Sequence, residues 1–320
     1  MSTANRQSVR LLTRSQVRDL LGWPELIEAV TDALAATAGD GLAVADSAQL
    51  RVPGAALHLK SGAIFDPALL SVKANIRPDA GSADGLIVAF DPVGFAVRAV
   101  LDSAALTGMR TAAVAAVAAR AIAAPGPREV AVIGTGPVGR NAITALAQTI
   151  QVSGVRLWSR GAGAAGEAAA HAAGLGIPVT ICGTPGEAAN GASVVLTATP
   201  AREPVLTAGS VGEDAVVLAM GADTAGKREL GPGVLDQADL VADSASDALA
   251  VGELGYLPAD RDPAEIVPLG QILTGRRTAG QGRRVVFDSV GSAVVDAACV
   301  ALVLAAAAER GAGEFFEFSR

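Results

Sequence analysis

The sequence contains few of the residues that mark several large classes of protein. Among 320 residues there are two cysteines, Cys182 and Cys299, so no disulfide framework can form and a reducing, cytoplasmic location is expected. The two histidines, His58 and His171, match no metal-ligand spacing, which predicts that the chain has no metal site. Charged residues make up only 18% of the chain and hydrophobic residues 51%. This composition excludes extensive disorder and allows a large core.

Long basic runs and long apolar runs are also missing. The net charge is -7, and an acidic chain without a basic run predicts no nucleic-acid partner. The apolar stretch between Asp296 and Glu309 has 12 residues, below the roughly 20 that a membrane-spanning helix needs. We therefore expect no membrane partner. Arginines such as Arg6 and Arg10 interrupt the start of the chain, so no signal peptide is predicted.

The order of predicted helices and strands changes at the breaker Pro125-Gly126-Pro127. Before it, two helices are followed by several short strands, a pattern typical of an α+β unit. After Val130, apolar strands alternate with helices, which predicts a parallel sheet covered on both faces. The fold class is therefore α/β, with a doubly wound parallel sheet of the Rossmann type at 123–291 and an α+β domain at 1–122.

A glycine-rich motif follows the first strand of the predicted parallel sheet. It reads Gly134-Thr135-Gly136-Pro137-Val138-Gly139, after Val130–Ile133 and before a helix. In this context the glycines permit a tight turn, close approach to a pyrophosphate and close helix–sheet packing. The motif predicts that these six residues bind a dinucleotide. The alternative is a structural turn without a ligand.

The residues after the second strand of this sheet indicate which dinucleotide is bound. A carboxylate that would bind the ribose 2′-hydroxyl of NAD is missing there, and Ser159-Arg160 stands in its place. An arginine can pair with a 2′-phosphate. The sequence therefore favours NADP(H) over NAD(H), with Ser159 and Arg160 as cofactor-binding residues. The alternative is that Arg160 is a solvated loop residue.

Further segments occur in a specific order along nearly the whole chain. They are His58–Gly62, Val72-Lys73, Gly85–Val88, Leu101–Ser103, Leu106–Ala113, Thr197–Thr199, Pro204–Leu206, Gly221–Leu230 and Phe287–Gly291. Together these segments resemble the ornithine cyclodeaminase/mu-crystallin family of NAD(P)-dependent amino- and imino-acid enzymes. The resemblance implies that 1–122, completed by a C-terminal helix at 292–320, is a substrate-binding and dimerisation domain. It also implies a homodimer.

The same resemblance assigns substrate-binding residues in the first domain. Lys73 and Arg110 match the residues that hold the substrate and its carboxylate, and Arg51 lies in a looser match to another carboxylate-binding arginine. Lys60 is a further candidate for this pocket. Guanidinium and ammonium groups suit a carboxylate, and Arg110 is predicted to open an alanine-rich helix, an unusual place for a cation without an anion. The alternatives are an ion pair of Arg110 with Asp102 and exposed lysines on strand ends.

Catalytic and nicotinamide-contacting residues are expected in the second domain. Asp223 follows an apolar strand at the carboxyl edge of the parallel sheet and matches the family's acid/base aspartate. Its alternative role is the N-cap of a helix that starts at Thr224. Ser289-Val290-Gly291 resembles the loop against the nicotinamide, and Thr197 and Thr199 are expected to line the same cleft.

These residues predict an enzyme that moves a hydride between the cofactor and the α-carbon of a small amino or imino acid. Lys73 and Asp223 are the catalytic candidates. Two directions remain open: a cyclodeaminase that recycles oxidised cofactor, and a reductase that delivers hydride to a C=N bond. The alternative from another class is a non-enzymatic NADPH-binding protein of the crystallin type. The segment at 245–261 is predicted to be a long irregular loop that could act as a lid.

Overall fold

The computed structural model describes residues 8–39, 47–78, 83–280 and 282–318. The chain divides into two compact units. The first unit comprises Met1–Arg110 and Ala293–Arg320, and the second comprises Thr111–Ser292. This division falls within a long helix, whereas the sequence analysis placed the boundary after residue 122. The assignment of substrate binding and dimerisation to the first unit stays a prediction.

Helices and strands alternate through most of the described chain. The strands are β1 Ser8–Leu12, β2 Ala48–Val52, β3 Ala55–Phe65, β4 Ala68–Pro78, β5 Asp84–Asp91, β6 Ala96–Asp102, β7 Arg128–Ile133, β8 Val152–Trp158, β9 Val179–Ile181, β10 Val194–Thr197, β11 Val216–Ala219, β12 Asp239–Ala242, β13 Val267–Pro268, β14 Val285–Asp288 and β15 Glu314–Glu317. The helices are α1 Arg14–Leu20, α2 Trp23–Ala36, α3 Ser103–Ile122, α4 Pro137–Thr149, α5 Ala162–Gly174, α6 Pro185–Ala189, α7 Ala245–Val251, α8 Leu269–Leu273 and α9 Ala293–Glu309.

The first unit is built on a seven-stranded sheet in the order β15-β1-β6-β5-β4-β3-β2. Its strands pair antiparallel except for β1 and β6, which are parallel. β3 and β4 have 11 residues each, so the prediction of short strands was wrong for this hairpin. Ala55 pairs with Pro78 and Phe65 pairs with Ala68, and the register between these pairs is uninterrupted. The alternation of side chains therefore continues beyond the short strands that were predicted.

One face of this sheet is covered by helices. α9 contacts β3 and β4, and α2 packs against α9. A Cβ atom on Gly62 would lie 2.7 Å from the backbone of Ala293, so only glycine permits this close approach of β3 to α9. Along β4 the side chains of Ser71, Lys73 and Asn75 are buried on this covered face, whereas Val72 and Ala74, which alternate with them, are only half-buried.

The second unit contains an eight-stranded parallel sheet in the order β13-β12-β14-β11-β10-β7-β8-β9. All residues of β10, β11 and β14 are buried, as expected for strands covered on both faces. The strand order reverses between β7 and β10, and ligands bind at the carboxyl ends of strands at such a point. This arrangement confirms the predicted α/β fold with a Rossmann-type parallel sheet and an additional sheet.

Two local predictions were wrong in the second unit. The segment at 245–261 is not a long irregular loop, because Ala245–Val251 forms α7 and Glu253–Tyr256 forms a 3-10 helix. The hydroxyl of Ser244 accepts from the backbone N–H of Asp247, which supplies the N-cap that the prediction overlooked. No helix starts at Thr224 among the described residues, so Asp223 is not a helix cap. The segment 223–229 is a turn stabilised by side chains instead.

The position of Arg110 in its helix also differs from the prediction. α3 begins at Ser103, where the Asp102 carboxylate accepts from the backbone N–H of Ala105 at 2.9 Å, so Arg110 lies in the middle of the helix rather than at its start. α3 is also the one described helix long and apolar enough to cross a membrane, but 78% of its most apolar window is buried within the protein. A buried core helix passes the same test of length and composition.

Candidate functional site

The glycine loop between β7 and α4 has a shape that only glycine permits at two positions. Gly134 has a φ of +101°, and a Cβ there would lie 2.5 Å from the carbonyl oxygen of Ala198. A Cβ on Gly139 would lie 2.0 Å from the carbonyl oxygen of Gly134. Around Gly136, by contrast, no atom lies within 4 Å of the position of a Cβ. The loop is therefore tightly packed at both ends and open in the middle.

The open part of this loop leads into the N-terminus of α4. Gly136 is the N-cap residue, no side chain caps the helix, and Pro137 occupies the first turn. The Thr135 side chain is 2% exposed, and its hydroxyl has no hydrogen-bond partner. Uncapped N–H groups at a helix N-terminus bind anions, and a buried hydroxyl without a partner favours a polar ligand. These features fit the pyrophosphate of a dinucleotide.

Ser159 and Arg160 follow β8 directly beside the glycine loop. The backbone N–H of Gly134 donates to the carbonyl oxygen of Trp158 at 2.9 Å, which fixes the end of β8 against this loop. Arg160 is exposed, two residues beyond that hydrogen bond. The structure thus places both predicted residues at the carboxyl edge of the sheet, next to the glycine loop. Their contact with a 2′-phosphate stays a prediction.

Thr197 and Thr199 lie at the carboxyl end of β10, but their hydroxyls have a partner within the protein. The Thr197 hydroxyl donates to Glu229 at 2.7 Å, and the Thr199 hydroxyl and backbone N–H donate to the same carboxylate at 2.7 and 2.6 Å. The backbone N–H of Gly221 donates to it at 2.8 Å. Glu229 therefore ties the ends of β10 and β11 together. The contact of Thr197 and Thr199 with a cofactor stays a prediction, and both hydroxyls already donate to Glu229.

Glu229 belongs to a group of buried carboxylates that sequence reasoning did not identify. Glu253 accepts from the backbone N–H groups of Glu229 and Leu230 at 2.5 and 3.1 Å, and Asp288 accepts from Leu254 at 2.9 Å. Burial raises the pKa of all three acids, that of Glu253 to about 7, although backbone donors oppose the shift. These acids hold loop backbones that side-chain patterns do not reveal.

The predicted nicotinamide loop is shaped by a fourth carboxylate. Asp243 accepts from the Ser289 hydroxyl at 2.7 Å and from the backbone N–H groups of Val290 and Gly291 at 3.3 and 3.0 Å. Ser289 and Val290 are buried, and Gly291 has a φ of +89°. The loop is therefore rigid, and its contact with a nicotinamide stays a prediction.

Asp223 is held by a lysine on the same turn. Lys227 Nζ donates to Asp223 Oδ1 at 2.8 Å and to the carbonyl oxygen of Gly221 at 3.1 Å. The Thr224 hydroxyl donates to Asp223 Oδ1 at 3.2 Å. The side chain of Asp223 is 25% exposed, so the carboxylate is positioned and still accessible to a ligand. This geometry suits a group that exchanges a proton with a substrate.

In the first unit, two predicted substrate residues converge on one acid. Lys73 on β4 donates to Asp296 Oδ2, and Arg110 Nε on α3 lies 2.9 Å from Asp296 Oδ1. The Nε–H is not aligned for a hydrogen bond, so the contact of Arg110 is an ion pair. The three side chains are 6% or less exposed. We call Lys73, Arg110 and Asp296 the buried triad.

The triad corrects one alternative from the sequence. The partner of Arg110 is Asp296, whereas Asp102 pairs with Arg14 at 3.0 Å. Burial, opposed by Asp296 and assisted by Arg110, lowers the pKa of Lys73 to about 8. Burial alone would raise the pKa of Asp296, but Arg110 and Lys73 hold it below its usual range. Lys73 therefore titrates within the pH range of ordinary assays.

The two remaining substrate candidates lie on the same face of the sheet. Lys60 on β3 is directly opposite Lys73 on β4, and its charge acts on both Lys73 and Asp296. Arg51 is on the outermost strand β2, opposite Ala56, and is exposed. The structure therefore brings Lys60 to the triad and places Arg51 further along the same face, toward the sheet edge.

Asp296 was missed because it stands in an apolar helix. It is the one acid in α9 before Glu309, and a lone charge within alanines and valines is the signal that could have revealed a buried partner for a cation. The acids of the second unit give weaker signals. Asp288 ends a strand of apolar residues, and Glu253 follows a glycine, as many exposed acids do.

Comparison with known proteins places these features in a family. The model of the ornithine cyclodeaminase/mu-crystallin family matches residues 74–311. A putative dehydrogenase of Rhizobium meliloti is 31% identical over 97% of this chain and 99% of its own length. The ketimine reductase mu-crystallin of Mus musculus is 32% identical over 68% of this chain and 67% of its own.

A solved structure shows the same fold over almost the whole chain. An archaeal alanine dehydrogenase dimer with bound NAD aligns with a TM-score of 0.92 at 23% identity, over 98% of this chain and 100% of that chain. The glycine loop and its open helix N-terminus fit a dinucleotide cofactor. The chain belongs to the ornithine cyclodeaminase/mu-crystallin family, whose members include ketimine reductases and ornithine cyclodeaminases.

Proposed function

We propose that this protein is an enzyme that transfers a hydride at the α-carbon–nitrogen bond of a small amino or cyclic imino acid. The observation that carries the proposal is the buried triad, which presents two cations against a single acid. Two cations and one carboxylate leave a positive charge to be balanced, and a substrate carboxylate has the complementary chemistry. The glycine loop before α4 would hold the nicotinamide cofactor, which would supply or accept the hydride when bound.

The residues of the chain bind the substrate and handle its proton. Arg110 and Lys73 hold the carboxylate and thereby orient the α-carbon. Asp223 takes up or gives the proton of the substrate nitrogen at its carboxylate, and Lys227 keeps that carboxylate in place. Glu229 holds the loops after β10 and β11, so that these loops are fixed before a ligand arrives.

A substrate panel tests this proposal. Cofactor oxidation is followed with cyclic ketimines and with α-keto acids plus amines, and ornithine turnover is measured with oxidised cofactor. We expect oxidation with at least one ketimine or one keto acid–amine pair, or release of ammonia from ornithine. A protein that binds the cofactor and turns over no member of the panel would instead be a binding protein.

We further propose that the cofactor is NADP(H). The support is Arg160, a cation that follows the end of β8. The residue before it is Ser159 and not an acid. Arg160→Ala is expected to weaken NADPH binding by about 1.5–3 kcal/mol, the contribution of a charge-assisted hydrogen bond, and to leave NADH binding nearly unchanged. Isothermal titration calorimetry with both cofactors measures this. Equal affinities in the unmodified protein would contradict the NADP(H) preference.

A second copy of the chain is proposed as the partner. The face of the first sheet turned away from α9 carries exposed apolar side chains. They are Leu50, Val52, Leu70, Ile76 and Leu86, which are 41–64% exposed. Register pairing places these residues on one face, opposite to Lys73 and Lys60. Contiguous exposed apolar surface of this kind marks an interface, and in a homodimer both copies use the same patch.

The dimer prediction is tested by sedimentation velocity at micromolar concentration. The unmodified protein is expected to sediment as a dimer or a higher multiple of two, and Ile76→Glu is expected to shift it toward the monomer because the charge would be buried. Leu175→Glu is the matched control, since Leu175 is 42% exposed in the second unit. A monomeric unmodified protein, or equal dissociation by both variants, would contradict the proposed interface.

A further inference from the structure

The roles of Lys73 and Arg110 in substrate binding do not explain what holds these two side chains in place within the buried triad. Both cations come from different elements, β4 and α3, and each has a long flexible side chain. Two such side chains lose considerable rotamer freedom when they are fixed. Lys73 and Arg110 also carry like charges, which repel each other. A further group must therefore hold the two side chains in one arrangement before a substrate binds.

Asp296 has the contacts required for that task. Its two oxygens are divided between the cations, Oδ2 accepting from Lys73 and Oδ1 lying 2.9 Å from Arg110 Nε. It is 1% exposed and is carried by α9, which packs on β3 and β4. Because α9 is anchored against the sheet at Gly62, the carboxylate is attached to a rigid support.

We propose that Asp296 is a positioning residue of the substrate site: it fixes Lys73 and Arg110 at a set separation and keeps Lys73 in its cationic form. The description of this site as a substrate site rests on the proposed function. The contacts of Asp296 do not depend on that function. Asp296 itself need not touch the substrate. Its charge balances one of the two positive charges of the triad, and the second positive charge remains for the substrate carboxylate, which both cations hold.

The charge environment of Lys73 makes the effect of Asp296 measurable. From α9, Asp296 raises the affinity of Lys73 for its proton; from α3, Arg110 lowers it; and from β3, Lys60 lowers it. Cys299, one turn along α9, is buried and un-ionised near neutral pH, because burial raises its pKa to about 12. Without the Asp296 charge, only burial and the neighbouring cations would act on Lys73. Both lower its pKa, so Lys73 would lose its proton at lower pH.

Three variants separate positioning from simple stability. Asp296→Asn removes the charge and keeps the shape, Asp296→Glu keeps the charge and moves it by one methylene, and Cys299→Ala perturbs the same helix without removing a charge, because the Cys299 thiol is un-ionised near neutral pH. The melting temperature is measured for all three. Cys299→Ala is the matched control, since its loss of packing lowers stability while the triad stays intact.

The closing experiment uses two readouts on the full chain. The titration of Lys73 is followed by NMR with selectively labelled lysine, and the affinity for pyrrole-2-carboxylate is measured by calorimetry with NADPH present. In Asp296→Asn we expect Lys73 to titrate below pH 8 and the probe to bind roughly tenfold or more weakly. In Asp296→Glu, Lys73 should titrate near the pH at which it titrates in the unmodified protein. This variant should still bind pyrrole-2-carboxylate more weakly. Cys299→Ala should change neither readout.

The proposal is overturned if Asp296→Asn leaves the titration of Lys73 and the affinity for the probe unchanged. It is also overturned if Cys299→Ala changes both readouts as much as Asp296→Asn does. If Asp296→Asn does not fold, Asp296→Glu decides, because unchanged probe affinity in that variant contradicts positioning. The NMR titration needs no turnover, so failure of the substrate panel rejects the proposed function and leaves the Lys73 result to decide on Asp296.

Discussion

Asp223→Asn is expected to lower kcat by about 10²–10⁴-fold while leaving the affinity for NADPH nearly unchanged. General acid–base catalysis contributes about this factor, and asparagine cannot take up a proton at neutral pH. Asparagine keeps an oxygen that can accept from Lys227, so the turn at 221–229 should keep its shape. Steady-state kinetics with the best substrate of the panel, together with calorimetry of NADPH, measure both quantities.

Asp260→Asn serves as the control for this variant. Asp260 is an exposed residue of the same unit, and its substitution removes the same charge at a position assigned no role. Its kcat should equal that of the unmodified protein. If Asp223→Asn reduces kcat by less than a few fold, Asp223 is a structural partner of Lys227 and is removed from the mechanism. A loss of NADPH affinity with unchanged kcat would place it beside the cofactor instead.

Lys73→Met is expected to raise KM by roughly 10–150-fold, the value of a lost hydrogen bond to a charged group. It should also lower stability, because removal of one partner of a buried ion pair typically costs about 3–5 kcal/mol. Asp296 keeps Arg110 as a partner, so we expect a loss near the lower end of that range. Urea unfolding and steady-state kinetics give the two quantities separately.

The double variant Lys73→Met with Asp296→Asn distinguishes folding from binding. With Asp296 also neutral, Arg110 is left buried without its acid, so the double variant should be less stable than Lys73→Met alone. KM should stay high, since the cation that binds the substrate carboxylate is still missing. Recovery of a low KM in the double variant would contradict direct binding of the substrate carboxylate by Lys73.

The fold could be predicted from the sequence because its two main signals are local. Buried strands such as Val130–Ile133, with a glycine motif and a helix after them, indicate a parallel sheet whatever the rest of the chain does. The lengths of β3 and β4 were underestimated because Ser61 and Gly62 interrupt the apolar alternation. β15 was missed because its strand character depends on pairing with β1, some 300 residues earlier in the chain.

The site could be predicted only where a residue type carries its own chemistry. The glycines of the cofactor loop were predicted from a recognisable glycine turn and Asp223 from its place after a strand, whereas Lys73 and Arg110 were predicted because their segments resemble those of the family. Asp296, Glu229 and Asp243 were missed because each acts on groups that are distant in sequence, and their partners are backbone N–H groups, hydroxyls or buried cations. Such contacts depend on tertiary packing.

The most direct test of hydride transfer uses deuterium at C4 of the nicotinamide. The protein is incubated with stereospecifically labelled NADPH and the best cyclic ketimine carboxylate of the panel, and the product is analysed by mass spectrometry and NMR. We expect deuterium from one of the two labelled forms to appear at the α-carbon of the product amino acid. If neither labelled form transfers deuterium to the α-carbon while cofactor is oxidised, or if no substrate oxidises the cofactor and ornithine releases no ammonia, hydride transfer at the α-carbon–nitrogen bond is contradicted.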